Sequence, residues 1–130
     1  LYQKALVGRT IEEIRYWGQG LLKIVKENNL VWTSLSLGDR IKSGYFENDD
    51  ADLINILSST ADAKIAMIFV EQDGGIVKVS WRSNSGIDVS GIAFNFGGGG
   101  HEAAAGAEIQ GELSQVSREV IKETKSLLMN

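Results

Sequence analysis

At 130 residues, with 43% apolar and 23% charged side chains, the chain has the size and composition of one globular domain, which excludes wholesale disorder. No apolar run approaches the roughly 20 residues that a membrane helix needs, and the absence of cysteine excludes disulfides, thiolate metal sites and thiol nucleophiles, a usage that fits a cytoplasmic protein. A single histidine excludes a multi-histidine metal centre, and a net charge of −4 gives no global field to draw in a duplex, so any anion site must be local.

In chain order, Leu1 rather than methionine opens the sequence, which raises the expectation of a fragment of a longer protein. Thr10-Ile11-Glu12-Glu13 reads as a capping box. Ile11, Ile14, Trp17, Leu21, Leu22 and Val25 then recur at steps of three and four, which predicts an amphipathic helix ending near Asn28-Asn29. Gly18 and Gly20 lie inside it at about 1 kcal/mol each, marking either close packing or a break. Residues 31–37 alternate as a strand with one wet face, and residues 38–44 form a turn with a short helix. Leu53, Ile54 and Leu57 have helical spacing. The continuous apolar run over residues 64–71 predicts a strand buried on both faces.

Asp73-Gly74-Gly75 is a hairpin turn signal. The returning strand puts Val77, Val79 and Trp81 on one face and Lys78, Ser80 and Arg82 on the other, which assigns Trp81 to the core rather than to base stacking. Asp88 is placed to cap a short helix with Val89, Ile92, Ala93 and Phe96 inward. Residues 107–110 read as an edge strand, and residues 113–128 as a helix burying Val116, Val120, Ile121, Thr124 and Leu127. Interleaved strands and helices predict an α/β (α+β) fold, a mixed sheet of about four or five strands flanked by helices.

Two constellations invite a chemical reading. Glu47-Asn48-Asp49-Asp50-Ala51-Asp52 lacks the register of a calcium loop and is read as helix capping. Phe96-Gly97-Gly98-Gly99-Gly100-His101-Glu102-Ala103-Ala104-Ala105-Gly106 carries more. Glycines there let a ligand touch backbone amides, and amides converging before a helix make an anion nest in which His101 donates to a phosphate oxygen. A merely structural tight turn is the competing reading. A P-loop fails for want of lysine followed by serine or threonine. A dinucleotide fingerprint fails because no second parallel strand ending in an acid follows. Arg82, at the end of the hairpin strand with Ser83, is the natural bidentate partner for a phosphate held at that loop.

Val77-Lys78-Val79-Ser80-Trp81-Arg82-Ser83, then Ile87-Asp88-Val89-Ser90, then Phe96 through Gly106 resemble the C-terminal DHH-associated domain of DHH-family phosphoesterases. Gly97 to Gly100, His101, Ala104, Ala105 and Gly106 match the G-G-G-G-H-x-x-A-A-G core of that family. The resemblance covers residues 30–128 and implies residues 1–29 as a helical connector from a catalytic DHH domain, with residues 30–130 as the substrate-binding domain. It implies a two-lobed hydrolase whose N-terminal lobe holds manganese ions on aspartates and histidines. This chain has no Asp-His-His motif, so no metal site, cofactor or catalytic residue is assigned to it. By position, Arg82, Ser83, Gly97, Gly98, Gly99, Gly100 and His101 would bind substrate phosphate. The partners implied are short single-stranded oligonucleotides or nucleoside phosphates and the DHH domain of the same polypeptide, with no membrane. The branch most alike is the oligoribonuclease/pAp phosphatase one, although Ser58 stands where many of its members have arginine. Lobes of cyclic-dinucleotide phosphodiesterases, RecJ-type exonucleases and polyphosphatase-like proteins share the loop. The alternative from another class is the nucleic-acid-binding C-terminal domain of alanyl-tRNA synthetases.

Overall fold

The computed structural model describes residues 8–129. Helix α1, Ile11–Leu21, begins at the expected capping box, with Thr10 Oγ1 accepting from the Glu13 amide and Glu13 accepting from the Thr10 amide. It stops seven residues before the expected end, because Val25–Glu27 forms strand β1 and pairs antiparallel with β2, Leu30–Leu35. Asn28, at a φ of 54°, sits in the left-handed region that a two-residue hairpin turn needs and asparagine tolerates. The face of α1 that is buried also differs from the periodic stripe. Tyr16, Trp17 and Gly20 face inward, whereas Ile11, Ile14, Leu21 and Leu22 are exposed. Gly20 marks close packing, since a Cβ there would stand 2.7 Å from Leu53 Cδ2, while Gly18 has nothing within 4 Å.

After β2 come α2, Leu37–Ser43, capped by Ser36, and α3, Leu53–Leu57. Strand β3, Ile65–Gln72, returns parallel to β2, and β4, Ile76–Ser83, follows through the expected glycine turn. Helix α4, Ser90–Asn95, strand β5, Gly99–His101, strand β6, Ala104–Gln110, and helix α5, Leu113–Leu128, complete the order. The sheet has six strands in the order β1-β2-β3-β4-β6-β5, and β2 with β3 is its parallel pair. Two strands, β1 and β5, are additional to the four that the sequence located. The segment read as an edge strand is interior, because β5 pairs on the outer side of β6. Strand β2 keeps the expected alternation, with Val31, Thr33 and Leu35 buried on one face and Trp32 and Ser34 half-buried on the other.

The two faces carry separate cores. On one, Leu30, Met67, Phe69, Val77, Val79 and Trp81 pack with Ile92 of α4 and Val116 and Val120 of α5. The Trp81 indole N–H donates to Thr124 Oγ1, which satisfies the polar edge of a fully buried ring. On the other, Val31, Leu35, Ala66, Ile68 and Val70 pack with Tyr16, Trp17, Leu53, Ile54 and Leu57. Trp17 and strand β1 therefore place residues of the expected connector inside this body, while residues 1–7 lie outside the described ones. This second core covers β2 and β3 only. The outward residues of β4 and β6 on that face are the half-buried Lys78, Ser80, Arg82, Ala104 and Gly106 and the exposed Glu108.

The acidic patch is used as expected. Asp50 accepts from the amides of Asp52 and Ile54, fixing the entry to α3, while Asp49 accepts from the Ala51 amide and the Tyr45 hydroxyl. Burial pushes the Asp50 carboxyl above its ordinary value despite those amides.

Candidate phosphate-binding face

Directly paired residues in an antiparallel ladder project to the same side of the sheet. Arg82 pairs with Ala104, and Ala104 pairs with His101, so these three form a row across β4, β6 and β5 on the face that α1 and α3 leave open. Two inter-strand spacings put the Cα atoms of Arg82 and His101 roughly 10 Å apart, with only the Ala104 methyl between them. The next row is Ser80, Gly106 and Gly99, again nearly without side chains. The result is a shallow trough floored by glycine and alanine, with Arg82 on one side and His101 on the other. Arg82 has no ion-pair partner among the described residues, and its guanidinium donates to the carbonyl of Trp81. His101 is exposed.

The turn that holds His101 is pinned from both sides. The Ser83 amide donates to the Ala103 carbonyl at 2.9 Å, and the Val89 amide to the Glu102 carbonyl at 2.9 Å. The arginine strand, the Asp-Val-Ser segment and the glycine-histidine loop are thus hydrogen-bonded into one unit. Asp88 fixes the start of α4 by accepting from the Ser90 hydroxyl and amide, and those bonds hold its carboxyl below the ordinary range. The N-cap position itself is Val89, one residue later than expected.

The glycine run does not lead into a helix, which removes the dipole from the expected nest. Gly97, at a φ of 86°, and Gly98 instead end α4: their amides donate to Phe94 O and Ala93 O, the paired bonds of a Schellman motif. Those two amides are consumed. Gly99 and Gly100 form edge strand β5 with His101, where every second backbone N–H faces away from the sheet. Gly98 and Gly100 are required sterically, since a Cβ would lie 2.1 Å from Gly106 O at the first and 2.6 Å from Ala104 O at the second. Gly99 is different, with nothing within 4 Å of such a Cβ.

Of the residues expected at the site, the open face brings together Arg82, His101 and Gly99. Gly97, Gly98 and Gly100 shape the loop beside them. Ser83 alternates to the opposite face, where its Oγ is buried with no hydrogen-bond partner. Ser80 and Lys78 join the face by the same alternation that exposes Arg82, and the sequence pattern had already put them on that side of β4. Lys78 borders a cleft of about 420 Å³ with Gly97, Gly98, Gly106, Ala107 and Glu108. Ser58, at the end of α3, accepts through its carbonyl from Asn84 Nδ2, two residues beyond Arg82. Trp32 is half-buried beneath the Lys125 ammonium, 5.7 Å from its ring centroid, on the far side of the sheet from Arg82. Among the described residues no group of three or more histidine, cysteine, aspartate or glutamate side chains could hold a metal ion. The described residues therefore offer no donor set that fits the manganese the resemblance implies.

Comparison with known proteins matches residues 36–129 to the DHHA1 domain. The bifunctional oligoribonuclease and PAP phosphatase NrnA of Mycoplasma genitalium is 41% identical over 76 residues, 57% of this chain and 24% of that protein. NrnA of Thermus thermophilus is 32% identical over 83 residues, 63% of this chain and 25% of that protein. The chain thus spans about a quarter of the length of these relatives. Among solved structures, an exopolyphosphatase-related protein from Bacteroides fragilis shares the fold over 99% of this chain and 39% of its own, with a TM-score of 0.82 at 24% identity.

Proposed function

The chain belongs to the DHHA1 domain family, and from that premise we propose that it is the substrate-binding lobe of a two-lobed phosphoesterase acting on short single-stranded oligonucleotides or on nucleotides such as 3′-phosphoadenosine 5′-phosphate. In this reading the lobe grips substrate phosphate through Arg82 and His101. A DHH domain of the same polypeptide supplies manganese and the activated water. The observation that carries it is the Arg82–Ala104–His101 row, two cationic or hydrogen-bonding arms over a floor without bulky side chains, on the part of the sheet face that the α1–α3 core does not reach. Arginine offers a planar fork to phosphate, and an arm on each side fixes the phosphate between them. The relatives named NrnA support a nucleotide as the ligand, and the pinned turn supports a preformed site.

The test is an amide NMR titration of the chain with a 5′-phosphorylated dinucleotide. Shifts should begin at Gly99, Gly100 and His101 and at Arg82. Arg82→Ala and His101→Ala should each weaken binding roughly tenfold, the usual worth of a charge-assisted contact. A 20-nucleotide strand binding far more tightly than the dinucleotide, with a steep salt slope and no response at these residues, would replace this reading with that of a general nucleic-acid-binding module.

A further inference from the structure

We propose that Lys78 is a second phosphate contact, so that the ligand lies along β4 with one phosphate at Arg82 and His101 and the next at Lys78; this rests on the reading of the first site given above. Alternation along β4 puts Lys78, Ser80 and Arg82 on the open face in that order, at steps of about 6.8 Å. Two cations are thus separated by one hydroxyl. Their long, flexible side chains can bring the charged tips to within the span of a single nucleotide. Beside Arg82 and Ser80 the floor is Ala104, Gly106 and Gly99, so nothing larger than a methyl group stands there, and the one large side chain along this stretch of β6 is Glu108 beside Lys78.

The charge arrangement at Lys78 separates a ligand contact from an ordinary surface pair. Glu108 stands directly opposite Lys78 in the ladder, a position from which oppositely charged residues normally pair. Yet Lys78 forms no ion pair with Glu108 or with any other described residue. Both border the same cleft, with Gly97, Gly98 and Gly106 between them and the sheet edge. The ammonium is therefore available to an incoming anion, and the carboxylate opposite keeps that anion on the β4 side. One step further along the ladder the outward pair is Ile76 and Gln110, neither of them charged. The row of cations ends at Lys78. A third phosphate would find no partner there and would approach Glu108. The ligand class that fits is a nucleotide with two separated phosphates, either a nucleoside bisphosphate or a 5′-phosphorylated dinucleotide.

The test compares adenosine 5′-monophosphate, adenosine 3′,5′-bisphosphate and the 5′-phosphorylated adenylate di- and trinucleotides, titrated into the whole chain by NMR. The bisphosphate and the dinucleotide should bind roughly tenfold more tightly than the monophosphate, and the trinucleotide within about twofold of the dinucleotide. Lys78→Gln should remove the advantage of the second phosphate and leave the monophosphate within about twofold of its original affinity. Glu108→Gln should let the trinucleotide overtake the dinucleotide. A uniform loss for all four ligands in Lys78→Gln, or no loss at all, overturns the second contact. If the monophosphate binds and is lost in Arg82→Ala while Lys78→Gln changes nothing, this proposal alone falls. If the unmodified chain binds none of the four, the first site falls with it.

Discussion

The four consecutive glycines do different jobs, and a pair of single-methyl substitutions separates them. At Gly100, φ is 147°, and an added Cβ would lie 2.6 Å from both Ala104 O and Ala105 Cα and 2.9 Å from Ala105 Cβ. Two of those three atoms are backbone of the paired strand, so relief requires β5 to move off β6, disturbing a ladder of three residue pairs. Displacement of that size, together with the backbone strain, costs about 2–4 kcal/mol. At Gly99 the backbone is not left-handed and the new methyl meets nothing within 4 Å, so Gly99→Ala should change stability by less than about 0.5 kcal/mol. That methyl nevertheless projects from the trough floor beside Gly106, where a phosphate between Arg82 and His101 would approach the sheet. Gly99→Ala should therefore weaken binding of a 5′-phosphorylated dinucleotide by roughly tenfold or more without unfolding anything. Urea denaturation followed by Trp fluorescence reads the first quantity, and NMR titration of the same samples reads the second. Gly99→Ala with unchanged affinity would show that the ligand does not contact this floor. Destabilisation equal to that of Gly100→Ala would refute the steric argument itself.

Three further outcomes follow from the body of the domain. Gly18→Ala, in an open helical position, should raise stability by about 0.5–1 kcal/mol in urea melts, because alanine confines the unfolded chain and favours helix. Thr124→Val keeps the shape of the side chain but strands the buried Trp81 indole N–H, and should cost about 1–3 kcal/mol by the same assay. Asp39 is pushed upward by burial, but its ion pair with Lys23 and its bond from the Ser36 amide outweigh this and hold the carboxyl below its ordinary value. Its contribution is present above the unfolded carboxyl pKa and lost as pH falls through the lower folded one. Asp39→Asn should therefore cost about 1 kcal/mol at neutral pH, a figure kept small by solvent around Lys23, and progressively less as pH falls below the ordinary carboxylate range in pH-resolved denaturation.

Where the sequence could be read, a single physical period governed the segment. The face of β4 is unambiguous because period-two alternation over residues 76–83 is anchored by a glycine turn, and Trp81 cannot be accommodated on the wet side. The capping box and α5 are legible for the same reason: local hydrogen-bond chemistry and a 3.6-residue period point the same way. Strand β1 was hidden because Leu21, Leu22 and Val25 continue a helical spacing that the chain leaves at Leu21. Only the turn-forming property of Asn28 and Asn29 argues against it. The apolar stripe of α1 misleads for a related reason, since Tyr16 and Gly20 take the buried side while Ile11 and Ile14 face outward. The glycine run was legible in composition and illegible in conformation. Glycine carries no side-chain pattern, so nothing in residues 97–100 distinguishes a nest from a helix stop followed by an edge strand.

That same blankness explains how the site is assembled. A sheet face built from ordinary strand residues would present β-branched or aromatic side chains between Arg82 and His101, and no phosphate could then reach both. Here Ala104, Gly106 and Gly99 leave the interval open, at the expense of strands with little packing of their own. The deficit is offset from outside the strands. The Schellman stop ties Gly97 and Gly98 to α4, and the amides of Ser83 and Val89 hold the Glu102-Ala103 turn. Ala105 and Ala107 anchor the back of β6 in the Trp81 core. The motif is therefore conditional on its surroundings: the glycines make room for a ligand only because the neighbouring arginine strand and the short helix supply the rigidity that glycine lacks. The net acidity of the chain does not by itself set the field here, because Lys78, Arg82 and His101 share one open stretch of sheet, on which Glu108 is the carboxylate paired opposite Lys78.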